Sequence, residues 1–255
     1  MVSKILGMRV DLTSYADATW KILNLAKRDE GHYVCVANVH MLMEAYDFAE
    51  FRNLVNNADL SVPDGMPLVW ILRLKGQQNQ RRVYGPTLML HILESAARDS
   101  ISVGFYGSKP EVLESLIKRM QSRYDSLNVA YSFSPPFRAI NFEEDTTIVQ
   151  QIKQSGIQIL FVGLGCPKQE IWMAEHRGKF NGVMIGVGAA FDFHAGVKPQ
   201  APVWMQKIGL EWLFRLFTEP RRLWKRYLYH NPRFMILAII DLLRSVVKFG
   251  EQGER

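Results

Sequence analysis

The amino-acid sequence predicts an α/β protein built on a mainly parallel sheet that is flanked by helices. Short β-branched runs alternate with amphipathic stretches through most of the chain, as in parallel strands joined by crossover helices. A length of 255 residues allows one large domain with a small appendage. The two cysteines, Cys35 and Cys166, are far apart and lack the paired spacing of a zinc site. We therefore expect a reduced, cytosolic protein with no structural metal.

Six runs are expected to form the sheet, and each is followed by a turn or a helix. After Tyr106, for example, a Gly-Ser-Lys-Pro turn leads into a helix over 111–124, in which Val112, Leu116 and Met120 share one face at helical spacing. The predicted strands are Tyr33–Ala37, Leu60–Pro63, Ile101–Tyr106, Val129–Phe133, Ile157–Val162 and Val183–Val187.

A change of composition after Lys198 predicts a boundary. Two prolines lie between Lys198 and Pro202, so we expect an α/β domain over 1–197 and a basic, amphipathic helical appendage over 198–255. The appendage has 11 Lys and Arg against 5 Asp and Glu, whereas the preceding residues have 20 of each, so it accounts for the net charge of +6. Aromatic residues interleave with these bases. The pattern indicates an anionic partner, either a nucleic acid or an acidic membrane surface.

No segment is expected to cross a membrane or to direct secretion. Residues 1–10 lack the apolar core of a signal peptide, and no apolar run approaches the roughly 20 residues of a spanning helix. The most apolar stretch, over 234–249, has Asp241 and Arg244 in its middle. We therefore expect an intracellular protein, and any contact of its appendage with a membrane is expected at the membrane surface.

Asp64 is the first candidate for chemistry. It directly follows a predicted buried strand, between Pro63 and Pro67, which places a carboxylate at the carboxyl end of that strand. Open α/β sheets bind their ligands at this edge. Asp64 is then a candidate general base for an attacking hydroxyl. The structural alternative is an Asx turn or an N-cap for a helix over 68–74.

Three more polar residues are expected near this edge. Asn38 and His40 follow the strand Tyr33–Ala37, and Asn38 is suited to orient a sugar or a base. His40 is as readily a packed or capping residue. Arg82 offers a two-pronged donor to a phosphate or a sugar carboxylate, with an ordinary solvated arginine as the alternative.

Glycines at strand ends allow a phosphate-bearing ligand to approach the backbone closely. Gly107, Gly163, Gly165 and Gly188 are placed in this way. None of these loops completes the dinucleotide-binding signature, because Lys168 and Phe191 occupy the third glycine position. We therefore expect no nicotinamide or flavin cofactor.

The segment Gly165-Cys166-Pro167-Lys168-Gln169-Glu170 begins a predicted helix. Lys168 and the free amides of the helix start suit an anion, and Gln169 suits a sugar hydroxyl. Cys166 has no histidine near it in sequence, which favours a buried thiol over a nucleophile.

Asp192 is a candidate for holding a ribose or sugar hydroxyl, but no acidic pair accompanies it. Ala190 and His194 stand two positions away, so no Mg²⁺ ligand set is evident and we expect no metal. A diphosphate would then need basic groups, which Arg215, Arg222 and Arg226 offer. A break at Pro220 separates the first from the others, and a solvated charged stripe is the alternative.

In combination these segments resemble the WecG/TagA/CpsF glycosyltransferases of bacterial envelope polysaccharide synthesis. The resemblance runs from Asn38 to about Tyr227, and the order and spacing of the motifs are specific. They are Asn38-Val39-His40, Ala58-Asp59-Leu60, Pro63-Asp64-Gly65, Arg82-Val83-Tyr84-Gly85-Pro86, Phe105-Tyr106-Gly107, Gly163-Leu164-Gly165, Pro167-Lys168-Gln169-Glu170, Gly186-Val187-Gly188, Phe191-Asp192 and the segment from Pro202 to Trp224.

The resemblance implies a Rossmann-like catalytic domain and an inverting, metal-independent transfer from a UDP-sugar to an undecaprenyl-diphosphate-linked sugar. It implies Asp64 as the base, with Asn38, Arg82 and Gln169 lining the site. It also implies that the appendage docks at the inner face of the cytoplasmic membrane and brings arginines to the diphosphate. Some members have a threonine two residues before the asparagine where this chain has Val36, so the sugar specificity is expected to differ.

Two other functions fit parts of the sequence. A nucleotide-dependent oxidoreductase needs the complete dinucleotide loop that this chain lacks. A nucleic-acid-binding protein would use the same basic, aromatic tail, although we expect a membrane and not nucleic acid as its partner. The sugar transferred and the oligomeric state, including a homo-oligomer, stay open.

Overall fold

The computed structural model describes residues 1–253, and only the helical backbone of 244–253. The side chain of Arg244 and residues 254–255 of the predicted appendage therefore lie outside the described part. A six-stranded parallel sheet occupies the centre, in the order β4-β3-β8-β7-β5-β6. Its strands are β3 (Gly31–Ala37), β4 (Leu60–Pro63), β5 (Val103–Gly107), β6 (Val129–Phe133), β7 (Ile159–Gly163) and β8 (Gly182–Gly186). All six predicted strands are confirmed, with boundaries shifted by two residues at most.

Helices surround this sheet, as expected for an α/β protein with a Rossmann-like sheet. In the domain they are α1 (Tyr15–Ala26), α2 (Val39–Asp47), α3 (Ala49–Asn56), α4 (Met66–Leu74), α5 (Gly85–Arg98), α6 (Pro110–Arg123), α7 (Phe142–Ser155), α8 (Lys168–Glu175) and α9 (Ala190–His194). In the appendage they are α10 (Val203–Lys207), α11 (Glu211–Thr218) and α12 (Pro220–Gly253).

The sheet buries both of its faces, which explains why its strands read as nearly continuous apolar runs. In β3, Val34 and Val36 face the apolar layer that includes α1 and α5. Tyr33 and Cys35 face the opposite layer, with residues of α2, α4 and α8. Because successive side chains of a strand point to opposite faces of the sheet, one strand contributes to the apolar core on each face.

An N-terminal hairpin adds a small second sheet. It comprises the antiparallel strands β1 (Val2–Ile5) and β2 (Met8–Asp11). Leu6 and Gly7, at the turn, have φ values of 49° and 84°. Positive φ at both central residues matches the type I′ turn, whose twist suits a two-residue hairpin. Ile5, Met8 and Val10 are fully buried, so the hairpin extends the core.

The appendage wraps back onto the domain. α11 ends at Thr218 and α12 starts at Pro220, which confirms the predicted break, since proline is favoured in the first turn of a helix. α12 buries Phe234 and Ala238 in the core layer that contains α2 and α4. Its Arg233 forms a two-pronged ion pair with Asp47 of α2, at 2.7 and 2.9 Å.

Candidate active site

The carboxyl ends of β3 and β4 bring Asn38 and Asp64 together, because Ala37 and Pro63 are partners in the parallel ladder. The amides of Asp64 and Gly65 both donate to the Ala37 carbonyl, at 2.8 and 3.1 Å. Asn38 caps α2 by accepting from the Met41 amide at 3.2 Å. Its side-chain oxygen is thereby used, which leaves the amide NH₂ for a ligand.

A cavity of about 310 Å³ lies between these loops and the appendage. This volume is at the lower end of the range of small-molecule sites. The lining includes both polar and apolar side chains. The polar lining consists of Asn38, His40, Asp64, Arg82, Glu211, Arg215, Arg226, His230 and Asn231; the apolar lining consists of Val39, Met66, Pro67, Trp70, Ile208, Leu210, Trp212, Tyr227, Phe234 and Met235.

The Asp64 carboxyl is largely enclosed at this cavity. Its Oδ1 accepts a 2.7 Å hydrogen bond from the Gly85 amide at the start of α5. The pKa of Asp64 is raised to about 6. Burial is the main cause and the negative charge of Glu211 adds to it, whereas the positive charge of Arg82 lowers the pKa. The N-cap of α4 is Gly65, without a side-chain capping bond, so Asp64 is not that cap. A carboxylate with a pKa of about 6 is mostly ionised at neutral pH yet still basic, as a general base requires.

Arg82 is held beside Asp64 and is not a solvated surface residue. Its Nε donates to the Asp64 backbone carbonyl. One terminal nitrogen lies 2.6 Å from the Glu211 carboxylate and 3.9 Å from Asp64 Oδ1. The guanidinium also stacks on the Tyr84 ring, 4.1 Å from its centroid. The residue is therefore fixed in position before any substrate binds.

Glu211 is the site residue that the sequence interpretation missed. It lies in the first turn of α11, and its two oxygens bind Arg82 at 2.6 Å and the Tyr84 hydroxyl at 3.0 Å. The appendage thus reaches the catalytic edge with a carboxylate as well as with bases. The sequence did contain a signal for Glu211, because it is an acidic residue at the start of an amphipathic helix in an otherwise basic segment.

Two of the three appendage arginines converge on the cavity. Arg215 and Arg226 both line it, and the Nε atom of each is buried without a hydrogen-bond partner among the described residues. Arg222 does not line it: this side chain is more than half exposed and pairs with Glu219 at 2.7 Å. The structure therefore places Arg215 and Arg226, but not Arg222, in the same cavity as Asp64.

The glycine-rich strand ends lie elsewhere along the same edge. Gly107 and Gly163 end β5 and β7, where a Cβ on Gly107 would lie 2.7 Å from the Gly163 carbonyl. Gly165 donates its amide to the buried Gln169 side chain at 3.1 Å, and Gly188 has a φ of 52°. None of these residues lines the cavity around Asp64.

Three further predicted residues are also outside this cavity. Gln169 donates to the buried Glu170 carboxyl at 2.7 Å, so its side chain is bound on both sides by protein. Lys168 is exposed at the start of α8. Asp192 pairs with Lys198 at 2.7 Å. The structure thus divides the predicted site into a cavity over β3 and β4 and a separate strip over β5, β7 and β8.

Both cysteines are poor nucleophiles. Burial raises the pKa of Cys35 and of Cys166 well above the ordinary value of a thiol. The thiolate is the reactive form, so neither side chain is suited to covalent chemistry. Cys35 is buried and Cys166 is half-buried, so the burial predicted for Cys166 is confirmed only in part.

Comparisons with known proteins point to one family. The model of the "Glycosyl transferase WecG/TagA/CpsF family" matches residues 3–247. A Bacillus subtilis (strain 168) protein named N-acetylglucosaminyldiphosphoundecaprenol N-acetyl-beta-D-mannosaminyltransferase is 28% identical over 230 residues, which cover 90% of this chain and 86% of that protein. A Bacillus spizizenii protein of the same name is 29% identical over 228 residues, which cover 89% and 86%.

Proposed function

The chain belongs to the WecG/TagA/CpsF family of glycosyltransferases, and from this membership we propose the reaction that it catalyses. It transfers a hexose or an N-acetylhexosamine, for example N-acetylmannosamine, from a UDP-sugar to a sugar on undecaprenyl diphosphate. Two relatives with a matching length are named for transfer of N-acetylmannosamine to such an acceptor, which supports this substrate class. Family membership favours transfer over the oxidoreductase and nucleic-acid-binding alternatives.

The observation that carries the proposal is the position of Asp64. A carboxyl with a pKa of about 6 lines a cavity that Arg215 and Arg226 also line. A base and two cations in one cavity match the two needs of the reaction. One is removal of a proton from the acceptor hydroxyl, and the other is stabilisation of negative charge on the leaving diphosphate.

The transfer is a single displacement. The acceptor hydroxyl oxygen forms a bond to the anomeric carbon while the bond from that carbon to the diphosphate oxygen breaks, and the electron pair leaves with UDP. Asp64 takes the hydroxyl proton. Attack from the face opposite the leaving group inverts the anomeric centre.

Arg82 and Asn38 support this step by positioning the base and the substrate. Arg82 holds the loop of Asp64 through the backbone carbonyl, and its ion pair with Glu211 ties that loop to the appendage. The Asn38 amide is free to donate to a sugar hydroxyl. We assign the diphosphate to Arg215 and Arg226, with no metal in the transfer step, and Arg222 to the rim.

The second strip of the edge is proposed for the rest of the donor. Gly165, where an added Cβ would meet nothing within 4 Å, leaves room for a nucleotide beside the start of α8, with Gly188 next to Gln169, whereas Gly107 and Gly163 pack closely against protein atoms. Lys168 is free to meet a phosphate there, and Gln169 orders the loop of Gly165. Asp192 is a candidate for a ribose or sugar hydroxyl once its pairing with Lys198 opens.

The appendage is proposed to lie on the inner face of the cytoplasmic membrane. No described helix combines the length and apolar character that a membrane crossing requires. The apolar wall of the cavity, with Trp70, Ile208 and Met235, suits the isoprenoid part of the acceptor next to its diphosphate. Peripheral docking then places the lipid-linked acceptor at the cavity.

A UDP-release assay with a synthetic polyprenyl-diphosphate–N-acetylglucosamine acceptor and a panel of UDP-sugars tests this proposal. One donor should support turnover, and Asp64→Asn should lower kcat by roughly 10²- to 10⁴-fold because the base is lost. Asp99→Asn, at an exposed surface position, is the matched control and should leave kcat unchanged. Full activity of Asp64→Asn would exclude Asp64 as the base.

A further inference from the structure

Three potential metal ligands from two helices meet beside the cavity. His40 and Glu44 lie one turn apart on α2, and His230 faces them from α12. His40 Nδ1 is 3.7 Å and His230 Nε2 is 3.9 Å from the same oxygen, Glu44 Oε1. One ligand atom from each of the three residues falls within a cluster of 4.8 Å.

One imidazole nitrogen of this cluster is unused. The Nδ1 atom of His40, the ring nitrogen that lies 3.7 Å from Glu44, is buried and has no hydrogen-bond partner among the described residues. His230 as a whole is only 9% exposed. A buried polar atom without a partner is rare in native proteins and points to a bound ligand, ion or water.

We propose that His40, Glu44 and His230 bind a divalent transition-metal ion, with Zn²⁺ as the best fit. Two imidazoles and one carboxylate are an established donor set for zinc, with a fourth position left open. Neighbouring ligand atoms in a tetrahedral zinc site lie about 3.4 Å apart, given zinc–ligand bonds of about 2.1 Å. The separations of 3.7 and 3.9 Å need only small side-chain shifts to reach that geometry.

Arg226 opposes the cation and sets the balance of charge. Its guanidinium acts electrostatically on His40, Glu44 and His230, so it weakens the attraction of a metal ion. Glu44 supplies the compensating negative charge directly at the metal. Removal of the Arg226 charge should accordingly tighten metal binding.

The consequence is a clamp between the domain and the appendage. The ion would link α2 to α12, two helices that otherwise meet through packing and the Asp47–Arg233 ion pair. Arg226 lies one helical turn before His230, so the clamp would also hold that arginine at the cavity wall. This role does not depend on the sugar-transfer reaction.

The test is a Zn²⁺ titration of the full-length protein after treatment with EDTA, followed by calorimetry and thermal unfolding. We expect one ion per chain, a rise in Tm on binding, and visible absorption bands of a low-symmetry site with Co²⁺. Glu44→Gln and His230→Gln should each weaken binding by roughly 10-fold or more. His91→Gln, at an exposed histidine elsewhere, should bind as the native chain does.

Two further outcomes decide the proposal. Arg226→Gln is expected to bind Zn²⁺ more tightly than the native chain. The double variant His40→Gln/His230→Gln, checked for native circular dichroism, should lose the Co²⁺ bands. Unchanged Zn²⁺ affinity in that folded double variant, or no saturable binding by the native chain, would overturn the proposal, and neither result bears on Asp64 as the base.

Discussion

At the scale of single residues, Asp64 shows how burial and charge compete. Removal from water raises its pKa, and the neighbouring Arg82 lowers it, with a result of about 6. Activity that needs the ionised form should therefore fall as the pH drops through about 6. The pH dependence of kcat/KM would report this acid limb.

The raised pKa of Asp64 also predicts a stability effect. A carboxyl whose pKa rises from 3.8 to about 6 on folding destabilises the folded state once it is ionised. This cost is absent below about pH 4, grows between pH 4 and 6 and is complete above pH 6. Asp64→Asn should therefore be more stable at pH 7.5 by roughly 1–3 kcal/mol, with the gain lost towards pH 4. Urea unfolding at both pH values measures it; a gain that persists at pH 4 would contradict this origin.

Glu211 gives a second prediction, since its charge contributes to the raised pKa of Asp64. Glu211→Gln removes that negative charge and should move the acid limb of the kcat/KM profile to lower pH. Asp241→Asn is a suitable control, because this acid of the appendage pairs with Lys75 on α4. An unshifted acid limb in Glu211→Gln would show that Glu211 does not act on Asp64.

At the scale of elements, the appendage is fastened by a few buried side chains on α12. Phe234 is 2% exposed, whereas Ile239 on the same helix is 52% exposed. The helix therefore has one face against the domain and another facing outward. Lys75 of α4 adds an ion pair with Asp241 at 2.6 Å.

Truncation of Phe234 should release this fastening. Phe234→Ala is expected to cost about 3–5 kcal/mol of packing and to increase proteolytic cleavage within the appendage. The change Ile239→Ala, on the outward face, should alter stability by no more than about 0.5 kcal/mol. Urea unfolding and limited proteolysis of both variants make the comparison. Equal behaviour of the two would mean that α12 is not held through Phe234.

At the scale of the whole molecule, the appendage presents exposed apolar side chains next to bases. Ile236, Ile239 and Leu243 recur at helical spacing on α12, and each is more than half exposed. A basic appendage with such a stripe has the features of an interfacial element. The proposed membrane face thus lies on the same helix that closes the cavity.

Vesicle binding tests that face. The protein should bind vesicles containing phosphatidylglycerol, and salt should weaken the binding. The triple variant Ile236→Ser/Ile239→Ser/Leu243→Ser should lower the vesicle partition coefficient by roughly 100-fold, because each change removes apolar area from the bilayer. Phe142→Ser, at an even more exposed phenylalanine at the start of α7, is the control. Equal binding of the triple variant and the control would place the contact elsewhere.

The sequence by itself determined the six strands of the central sheet and the place of the main candidate base, but not the N-terminal hairpin. Buried parallel strands require local runs of β-branched and aromatic residues, so β3 to β8 are written in short segments. The position of Asp64 directly after one such run was equally local. Both depend on residues that are neighbours along the chain.

Only the tertiary structure decided which distant residues share a cavity. It joined Arg215 and Arg226 to the cavity of Asp64, left Arg222 outside that cavity and Gln169 in a separate strip, and introduced Glu211. It also brought His230 to His40, 190 positions earlier in the sequence. The physical reason is that burial, pKa and ligand geometry depend on distances in space, which the packing of α11 and α12 against the domain sets and which no local pattern encodes.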